Sequence, residues 1–238
     1  MSEKPPILVF DLDGTLADTA GDLVGTLNVI LGGEGLPLLP LADGRKLIGA
    51  GARALIARGF SAAGRDLSSD ELQRLFAAFI VRYEAHIADE SKLFPGVEAV
   101  LDRFASAGFV LAVCTNKFER SSRLLLEALG VARRFQAICG QDTFNVAKPD
   151  ARIFLSTVAR AGGDPGRATM IGDSAADVAT ARAAGASVIA VDFGYSDAPA
   201  AELGADRVVS HFDELWGAVA ELAARPRQIA PESPARPP

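Results

Sequence analysis

Cysteine and histidine are both scarce in this chain of 238 residues, which has two of each. Cys114 and Cys139 are too far apart in sequence for the close cysteine pairs of a zinc site, and two cysteines build no disulfide framework. So few cysteines fit a reducing compartment, and we expect a cytoplasmic protein. His86 and His211 neighbour none of the polar motifs described below, so a histidine phosphatase or a Ser-His-Asp hydrolase is unsupported.

The chain also lacks an excess of basic charge and any long apolar run. Its formal net charge is -6 and its pI is near 5.0, which argues against a nucleic-acid-binding surface. A local site with a metal ion can still attract a small anion. The first apolar run, residues 7–10, stops at Asp11 and is too short for a signal peptide or a membrane span. We therefore expect neither a nucleic acid nor a membrane as a partner.

Short apolar runs alternate with helical patterns through most of the chain. The runs, typical of buried parallel strands, are residues 7–10, 109–114, 169–171 and 187–191. The helical patterns, several of which end at a glycine suited to a helix C-terminus, are residues 97–107, 120–129, 150–161 and 175–184. This order predicts an α/β fold with a doubly wound parallel sheet.

Residues 19–91 interrupt the alternation, because they have helical periodicity and no convincing strand. Ser68 and Glu71 form a capping-box pattern that predicts the start of one helix. We expect residues 1–18 and 92–223 to form the catalytic core and residues 19–91 to form an all-helical cap. Such a cap can exclude water and select substrates. The proline-rich residues 224–238 are expected to form a flexible tail.

The segment Asp11-Leu12-Asp13-Gly14-Thr15-Leu16 follows the first predicted strand directly. Its two carboxylates leave an extended strand on the same side and would repel each other unless they shared a cation. Mg²⁺ prefers oxygen ligands and tolerates few carboxylates together with a phosphate. Asp11 can then attack phosphorus, while Asp13 protonates the leaving oxygen and later activates water. Gly14 lets the backbone turn toward a phosphate.

Polar clusters follow two further strands, and a lysine precedes a helix. Thr115-Asn116-Lys117 offers a hydroxyl and backbone N–H groups for phosphate oxygens. Lys148, one of five lysines, could neutralise the phosphate and the nucleophile. Asp173 could complete a metal site with Asp11 and Asp13, and Asp177 one turn later could support the metal ligands. Taken alone, each of these three has a simple structural alternative: a turn, a solvated lysine or a helix cap.

Taken together, these motifs resemble the haloacid dehalogenase superfamily of phosphohydrolases over residues 7–220. The resemblance implies a Rossmann-like core with an inserted helical cap, Mg²⁺ as cofactor and a small phosphorylated metabolite as substrate. It implies an aspartyl-phosphate on the nucleophile Asp11, with Asp13 as acid and base. The remaining implied roles are phosphate binding by Gly14, Thr15, Thr115, Asn116 and Lys148, and metal binding by Asp11, Asp13 and Asp173.

Three further segments resemble the phosphoglycolate phosphatase branch of this superfamily: Ile48–Arg53, Leu93–Val97 and Phe193–Ser196. They suggest 2-phosphoglycolate as substrate, with Gly49, Gly51 and Arg53 of the cap contacting it. The segment that includes Gly49 could equally be a tight turn between helices. A monomer and a homodimer are both compatible with the sequence.

Several alternatives remain open from the sequence. Cys114 and Arg120 match the Cys-x5-Arg pattern of cysteine phosphatases, but the intervening residues hold no glycine and would place Glu119 beside the phosphate. A phosphosugar mutase or a pyrophosphatase of the same superfamily would use the same aspartate. The superfamily's dehalogenases need no Mg²⁺, so the second aspartate and Asp173 favour a phosphatase. A non-catalytic binding scaffold on this fold is the alternative from another functional class.

Overall fold

The computed structural model describes residues 3–224, which contain eight strands and nine α-helices. The strands are β1 (Ile7–Phe10), β2 (Ala17–Asp18), β3 (Lys92–Leu93), β4 (Val110–Cys114), β5 (Ala137–Cys139), β6 (Ala168–Gly172), β7 (Ser187–Val191) and β8 (Arg207–Val209). The helices are α1 (Ala20–Gly33), α2 (Leu41–Arg45), α3 (Ala52–Ala62), α4 (Ser69–Ala85), α5 (Val97–Ser106), α6 (Glu119–Ala128), α7 (Ala151–Ala161), α8 (Ala175–Ala183) and α9 (Leu215–Ala223). Apart from Ala224, the predicted tail lies outside the described residues.

Six strands form one parallel sheet in the order β5-β4-β1-β6-β7-β8. The four predicted strands are its four central strands, and all four residues of β1 are fully buried. The predicted α/β fold with a doubly wound parallel sheet is confirmed. The sequence did not predict β5 and β8, which are three residues long and lie at the two edges of the sheet.

Helices cover both faces of this sheet. Leu8 and Phe10 of β1 face the core that includes apolar residues of α5, α6 and α9. Ile7 and Val9 face the opposite core, which includes residues of α7 and α8. Because successive side chains of a strand point to opposite faces, a wholly apolar strand is required in the middle of a three-layer fold. Burial on both faces fixes the height of β1 and therefore the position of Asp11 at its end.

Helices α1–α4 form a separate group between β2 and β3. They share a hydrophobic core made of Leu23, Leu27, Leu31, Leu55, Ile56, Phe60, Leu75, Phe76, Phe79 and Tyr83. The predicted capping box opens α4: the Ser68 hydroxyl accepts a hydrogen bond from Glu71 N, and the Glu71 carboxylate accepts one from Ser68 N. This helical group matches the cap expected from the sequence.

The chain enters and leaves the helical group through the antiparallel pair of β2 and β3, in which Asp18 lies opposite Lys92. In α1, the Asp22 carboxylate accepts a hydrogen bond from Ser91 N at 2.8 Å. This bond links the segment that enters the helical group to the segment that leaves it. Our domain boundaries at residues 18/19 and 91/92 stay a prediction, and this pair of strands favours it. Within residues 3–224, no helix is long and apolar enough to cross a membrane.

Candidate active site

Four polar side chains from separate parts of the sequence meet at the carboxyl end of the central strands. Asp11 follows β1, Thr115 follows β4, and Asp173 follows β6. Lys148 comes from the segment between β5 and α7. In a doubly wound sheet this edge is where ligands bind. All four side chains are buried.

Lys148 lies between two aspartates. Its Nζ is 2.8 Å from Asp11 Oδ1 and 2.6 Å from Asp177 Oδ1. Burial alone would lower the pKa of Lys148, but the charges of Asp11 and Asp177 outweigh it and raise this pKa above its ordinary value. The ammonium therefore stays charged beside Asp11. Such a cation can stabilise the negative charge of a phosphoryl group in transfer.

Asn116 holds the backbone of Lys148. Its Oδ1 accepts a hydrogen bond from Lys148 N at 2.9 Å, and its Nδ2 donates to Lys148 O at 3.3 Å. The same Nδ2 is 3.4 Å from Gly49 O in the cap. We predicted phosphate binding by Asn116, and the observed contacts favour positioning of Lys148 instead.

Three buried carboxylates, those of Asp11, Asp173 and Asp177, offer oxygen atoms that all lie within 4.8 Å of one another. Burial is the main cause that raises the pKa of Asp11 and of Asp173, and the negative charge of their neighbours raises both further. Lys148 supplies one positive charge against three negative ones. The excess of negative charge would therefore be balanced by a divalent cation, and carboxylate oxygens of this kind suit Mg²⁺.

Asp13 is not part of this carboxylate cluster. Its Oδ1 accepts hydrogen bonds from Lys117 Nζ at 2.9 Å and from Thr19 Oγ1 at 2.7 Å. Our prediction that the Asp13 side chain joins the metal ligands gains no support from this geometry. A carboxylate held at the edge of the site by two donors fits the predicted acid and base role better.

Lys117 is a residue to which the sequence analysis gave no role. It is 9% exposed, and the charge of Asp13 raises its pKa above the ordinary value against the opposing effect of burial. One signal was available: Lys117 directly follows Thr115-Asn116 after a predicted strand. The sequence did not indicate that Lys117 pairs with Asp13, because the two residues are far apart in the chain.

Gly14 and Thr15 pack against Asp173 and orient it. Gly14 has φ +83°, and a Cβ atom added there would lie 2.5 Å from Asp173 Oδ2. Thr15 Oγ1 donates to Asp173 Oδ1 at 3.2 Å, and Tyr195 N donates to Asp173 Oδ2 at 2.7 Å. Close approach of the backbone is the reason for glycine here. Thr15 therefore contacts a candidate metal ligand, whereas we predicted contact with phosphate.

Asp177 caps a helix and also contacts Lys148, while its support of the metal ligands stays a prediction. One oxygen accepts from Lys148, while Oδ2 accepts from Ser174 N at 3.1 Å in a capping box at the start of α8. The helix N-terminus thus fixes the carboxylate that holds the lysine.

A cavity of about 40 Å³ lies between the helical cap and these strand ends. On the core side it is lined by Asp11, Asp13, Thr115, Asn116, Lys117, Phe118, Ser121 and Gln141. On the cap side it is lined by Leu23, Ile48, Gly49, Gly51, Ala52, Leu55, Phe79, Ile80 and Tyr83. The predicted cap residues Gly49 and Gly51 therefore do line it. The described contacts direct Arg53 elsewhere: it donates to Gln73 at 2.7 Å and stacks on Phe76.

Cys114 is fully buried at the end of β4, and burial raises its pKa to about 12. The reactive form of a cysteine nucleophile is the thiolate. The structure therefore speaks against the cysteine-phosphatase alternative. His86 and His211 lie outside the cavity lining, each beside an exposed aspartate.

Residues 8–191 match the family described as haloacid dehalogenase-like hydrolase. The chain belongs to that family. This confirms the predicted superfamily and the predicted class of enzyme, a phosphatase similar to phosphoglycolate phosphatases.

The similar proteins of known name include two bacterial phosphoglycolate phosphatases. That of Caulobacter vibrioides is 50% identical over 86% of this chain and 86% of its own length. That of Mesorhizobium japonicum is 47% identical over 92% of this chain and 97% of its own. Among solved structures, a predicted phosphoglycolate phosphatase from Haemophilus somnus 129pt has a TM-score of 0.83 at 27% identity, covering 91% of this chain and 98% of that one.

Proposed function

We propose that this protein is a Mg²⁺-dependent phosphatase that hydrolyses 2-phosphoglycolate through an aspartyl-phosphate on Asp11. The observation that carries the proposal is the buried Asp11 carboxylate, held 2.8 Å from Lys148 beneath a small cavity. The names of the similar phosphatases support the substrate.

Asp11 is the nucleophile in this proposal. One of its oxygens forms a bond to phosphorus as the bond from phosphorus to the leaving oxygen breaks. Asp13 gives its proton to that leaving oxygen. In the second half, Asp13 takes a proton from a water molecule that attacks phosphorus, and Asp11 is released together with inorganic phosphate.

Lys148 and Thr115 hold the phosphoryl oxygens during the transfer. Lys148 is already charged and fixed by Asp177 and by its own backbone contacts with Asn116, so little reorganisation is needed when charge develops. Its loss should therefore slow the chemical step more than it weakens binding.

Asp11 and Asp173 would hold the Mg²⁺ ion, with Asp177 supporting them through Lys148. The ion would supply neutralisation of phosphoryl charge. The excess of buried negative charge at these aspartates supports this assignment. The Asp13 carboxylate, which binds Lys117 instead, is left to the acid and base role.

The small cavity supports a small leaving group. A water molecule needs about 10–15 Å³ of such space. The cavity of about 40 Å³ is also lined by Asp11 and Thr115, so it must hold the phosphoryl group as well. A short leaving group such as glycolate suits what remains, and Gly49 and Gly51 of the cap carry no side chain into it.

Two buried free thiols, Cys114 and Cys139, support a cytoplasmic location.

The test is phosphate release from a panel of phosphate esters, with Mg²⁺ and with EDTA, by wild type and Asp11→Asn. We expect Mg²⁺-dependent turnover that is highest with 2-phosphoglycolate and lost in the variant. Preference for another ester would replace the substrate but retain the mechanism. Activity that survives in Asp11→Asn would refute the mechanism. Transfer to a sugar phosphate without phosphate release would identify a mutase, and no turnover of any ester would favour a binding scaffold.

A further inference from the structure

Tyr83, on α4 of the cap, has a buried hydroxyl whose proton finds no acceptor. The residue is 1% exposed, and within residues 3–224 no acceptor lies within hydrogen-bond distance of its hydroxyl. The polar group beside it is the Lys117 ammonium, which can only donate. Lys117 lies over the ring, with Nζ 4.5 Å from the ring centroid. Burial of a polar group without a partner is unfavourable, and phenylalanine would fill nearly the same volume without that penalty.

The position of Tyr83 gives this hydroxyl a use. Tyr83 lines the cavity between the cap and the core, as do Asp13 and Lys117. The other residues that the cap contributes to the lining are leucine, isoleucine, alanine, glycine and phenylalanine. Tyr83 is thus the single polar side chain on the cap's side of the cavity, as far as the described residues go. In an apolar pocket, a few placed polar groups decide how a ligand is oriented.

The hydroxyl can act as a donor at neutral pH. Burial raises the pKa of Tyr83 to about 12, so the phenol keeps its proton. Asp13, the proposed acid for the leaving oxygen, lines the core side of the same cavity, and Lys117 reaches from that side over the Tyr83 ring. A leaving group that receives its proton from Asp13 therefore has its far end directed toward the cap.

We propose that Tyr83 is a specificity residue of the cap, whose hydroxyl donates a hydrogen bond to the anionic far end of the leaving group. For the substrate proposed above, that end is the carboxylate of glycolate, so this inference rests on the proposed function. Lys117 adds a positive charge to the same space. The substrate would accept a hydrogen bond that no group within residues 3–224 accepts.

The experiment compares wild type and Tyr83→Phe on two small substrates, 2-phosphoglycolate and acetyl phosphate. The acyl group of acetyl phosphate is as small as glycolate but has no anionic far end. We expect kcat/KM for 2-phosphoglycolate to fall about tenfold or more, the range for a lost hydrogen bond to a charged group. For acetyl phosphate, we expect a change of less than about twofold. The inhibition constant of free glycolate should rise by a similar factor of about ten.

Thermal unfolding separates this role from a structural one. Because no group within residues 3–224 accepts a hydrogen bond from the hydroxyl, Tyr83→Phe should keep or raise the Tm. Phe60→Leu is the control: Phe60 is fully buried in the cap core and does not line the cavity. It should lower the Tm and leave the ratio of kcat/KM between the two substrates unchanged.

Two results would overturn the proposal. In the first, Tyr83→Phe affects both substrates equally or neither, while wild type hydrolyses 2-phosphoglycolate. In the second, wild type releases no phosphate from 2-phosphoglycolate, which removes the proposed function and with it the anionic leaving group. The wild-type rate alone distinguishes the two.

Discussion

Replacement of Lys148 by methionine isolates the charge at the centre of the site. Methionine has a straight side chain of similar length and no charge. The Lys148 side chain is 1% exposed, and its ammonium contacts carboxylates on both sides, at 2.8 Å from Asp11 and 2.6 Å from Asp177. The variant would leave these carboxylates buried without a cation.

The expected loss of stability is large. Removal of one partner from a buried ion pair typically costs about 3–5 kcal/mol, because an uncompensated charge remains. For a chain of this size, each kcal/mol lowers the Tm by about 2–4 °C. We expect the loss to be smaller at pH 5.5 than at pH 8, because Asp11, whose pKa is already raised by burial, can bind a proton in place of the lost cation. Urea unfolding at both pH values in EDTA measures it.

The expected loss of activity is separate from the loss of stability. Removal of one group that stabilises transition-state charge typically lowers kcat by about 10²–10³-fold. We expect a drop of that order in Lys148→Met, with a smaller change in KM, measured by phosphate release at a temperature where the variant is folded. Lys46→Met is the matched control, since the Lys46 side chain is 64% exposed and, within residues 3–224, its one ion pair is with Asp43 at 3.6 Å. It should change stability by less than about 0.5 kcal/mol. Equal stability and equal kcat for the two variants would refute the assignment of Lys148.

Two more predictions concern the metal site and the glycine beside it. The pKa of Asp173 is raised by burial to about 7, and that of Asp11 is raised too, against about 4 in an unfolded chain. The folded metal-free protein therefore binds more protons than the unfolded chain between about pH 4 and 7, and its stability should fall as pH rises through that window. Mg²⁺ should counter this. At a fixed Mg²⁺ concentration equal to one hundred times its Kd at pH 8, we expect a stabilisation of about 2.7 kcal/mol at pH 8 and a smaller one at pH 5.5, where protons compete with the ion for the carboxylates. Equal stabilisation at both pH values in urea titrations would contradict it. Gly14→Ala should lower activity by tenfold or more, because its Cβ would lie 2.5 Å from Asp173 Oδ2 at a positive φ. The control Gly25→Ala has open space in α1 and should keep full activity and gain about 0.5–1 kcal/mol of stability.

The sequence was sufficient for the parts of the fold that depend on local pattern. The four central strands are buried on both faces, so each is almost wholly apolar, with Thr169 and Ser187 as the exceptions. Glycines at positive φ end the helices between them. The edge strands β5 and β8 escaped prediction because they have three residues each, and β8 begins with the partly exposed Arg207. The two-residue strands β2 and β3 exist only through their pairing with each other.

In the candidate site, too, the residues that follow strands were predictable, and those that depend on the packing of the cap were not. Asp11 and Asp173 were predictable because parallel strands deliver their carboxyl ends to one edge of the sheet. The roles of Lys117 and Tyr83 depend on how the cap rests on the core, which no local pattern encodes. The predicted substrate contact of Arg53 gains no support for a related reason. Its neighbours Gly49 and Gly51 line the cavity, but its own side chain stacks on Phe76 within the cap. Sequence adjacency does not determine the direction of a side chain on a helix.

The pairing of β2 with β3 makes the cap a removable insert. Because Ala17 and Leu93 are partners in an antiparallel ladder, the chain leaves the core and returns to it at adjacent points. Antiparallel neighbours of this kind can be joined by a two-residue turn. The gap left by deleting the cap could therefore be closed without any change in the order of the six-stranded sheet. We therefore expect exchange of residues 19–91, the predicted cap, between relatives to change the helices over the cavity while Asp11, Lys148 and Asp173 stay in place. Thr19, which donates to Asp13, would have to be kept in such an exchange.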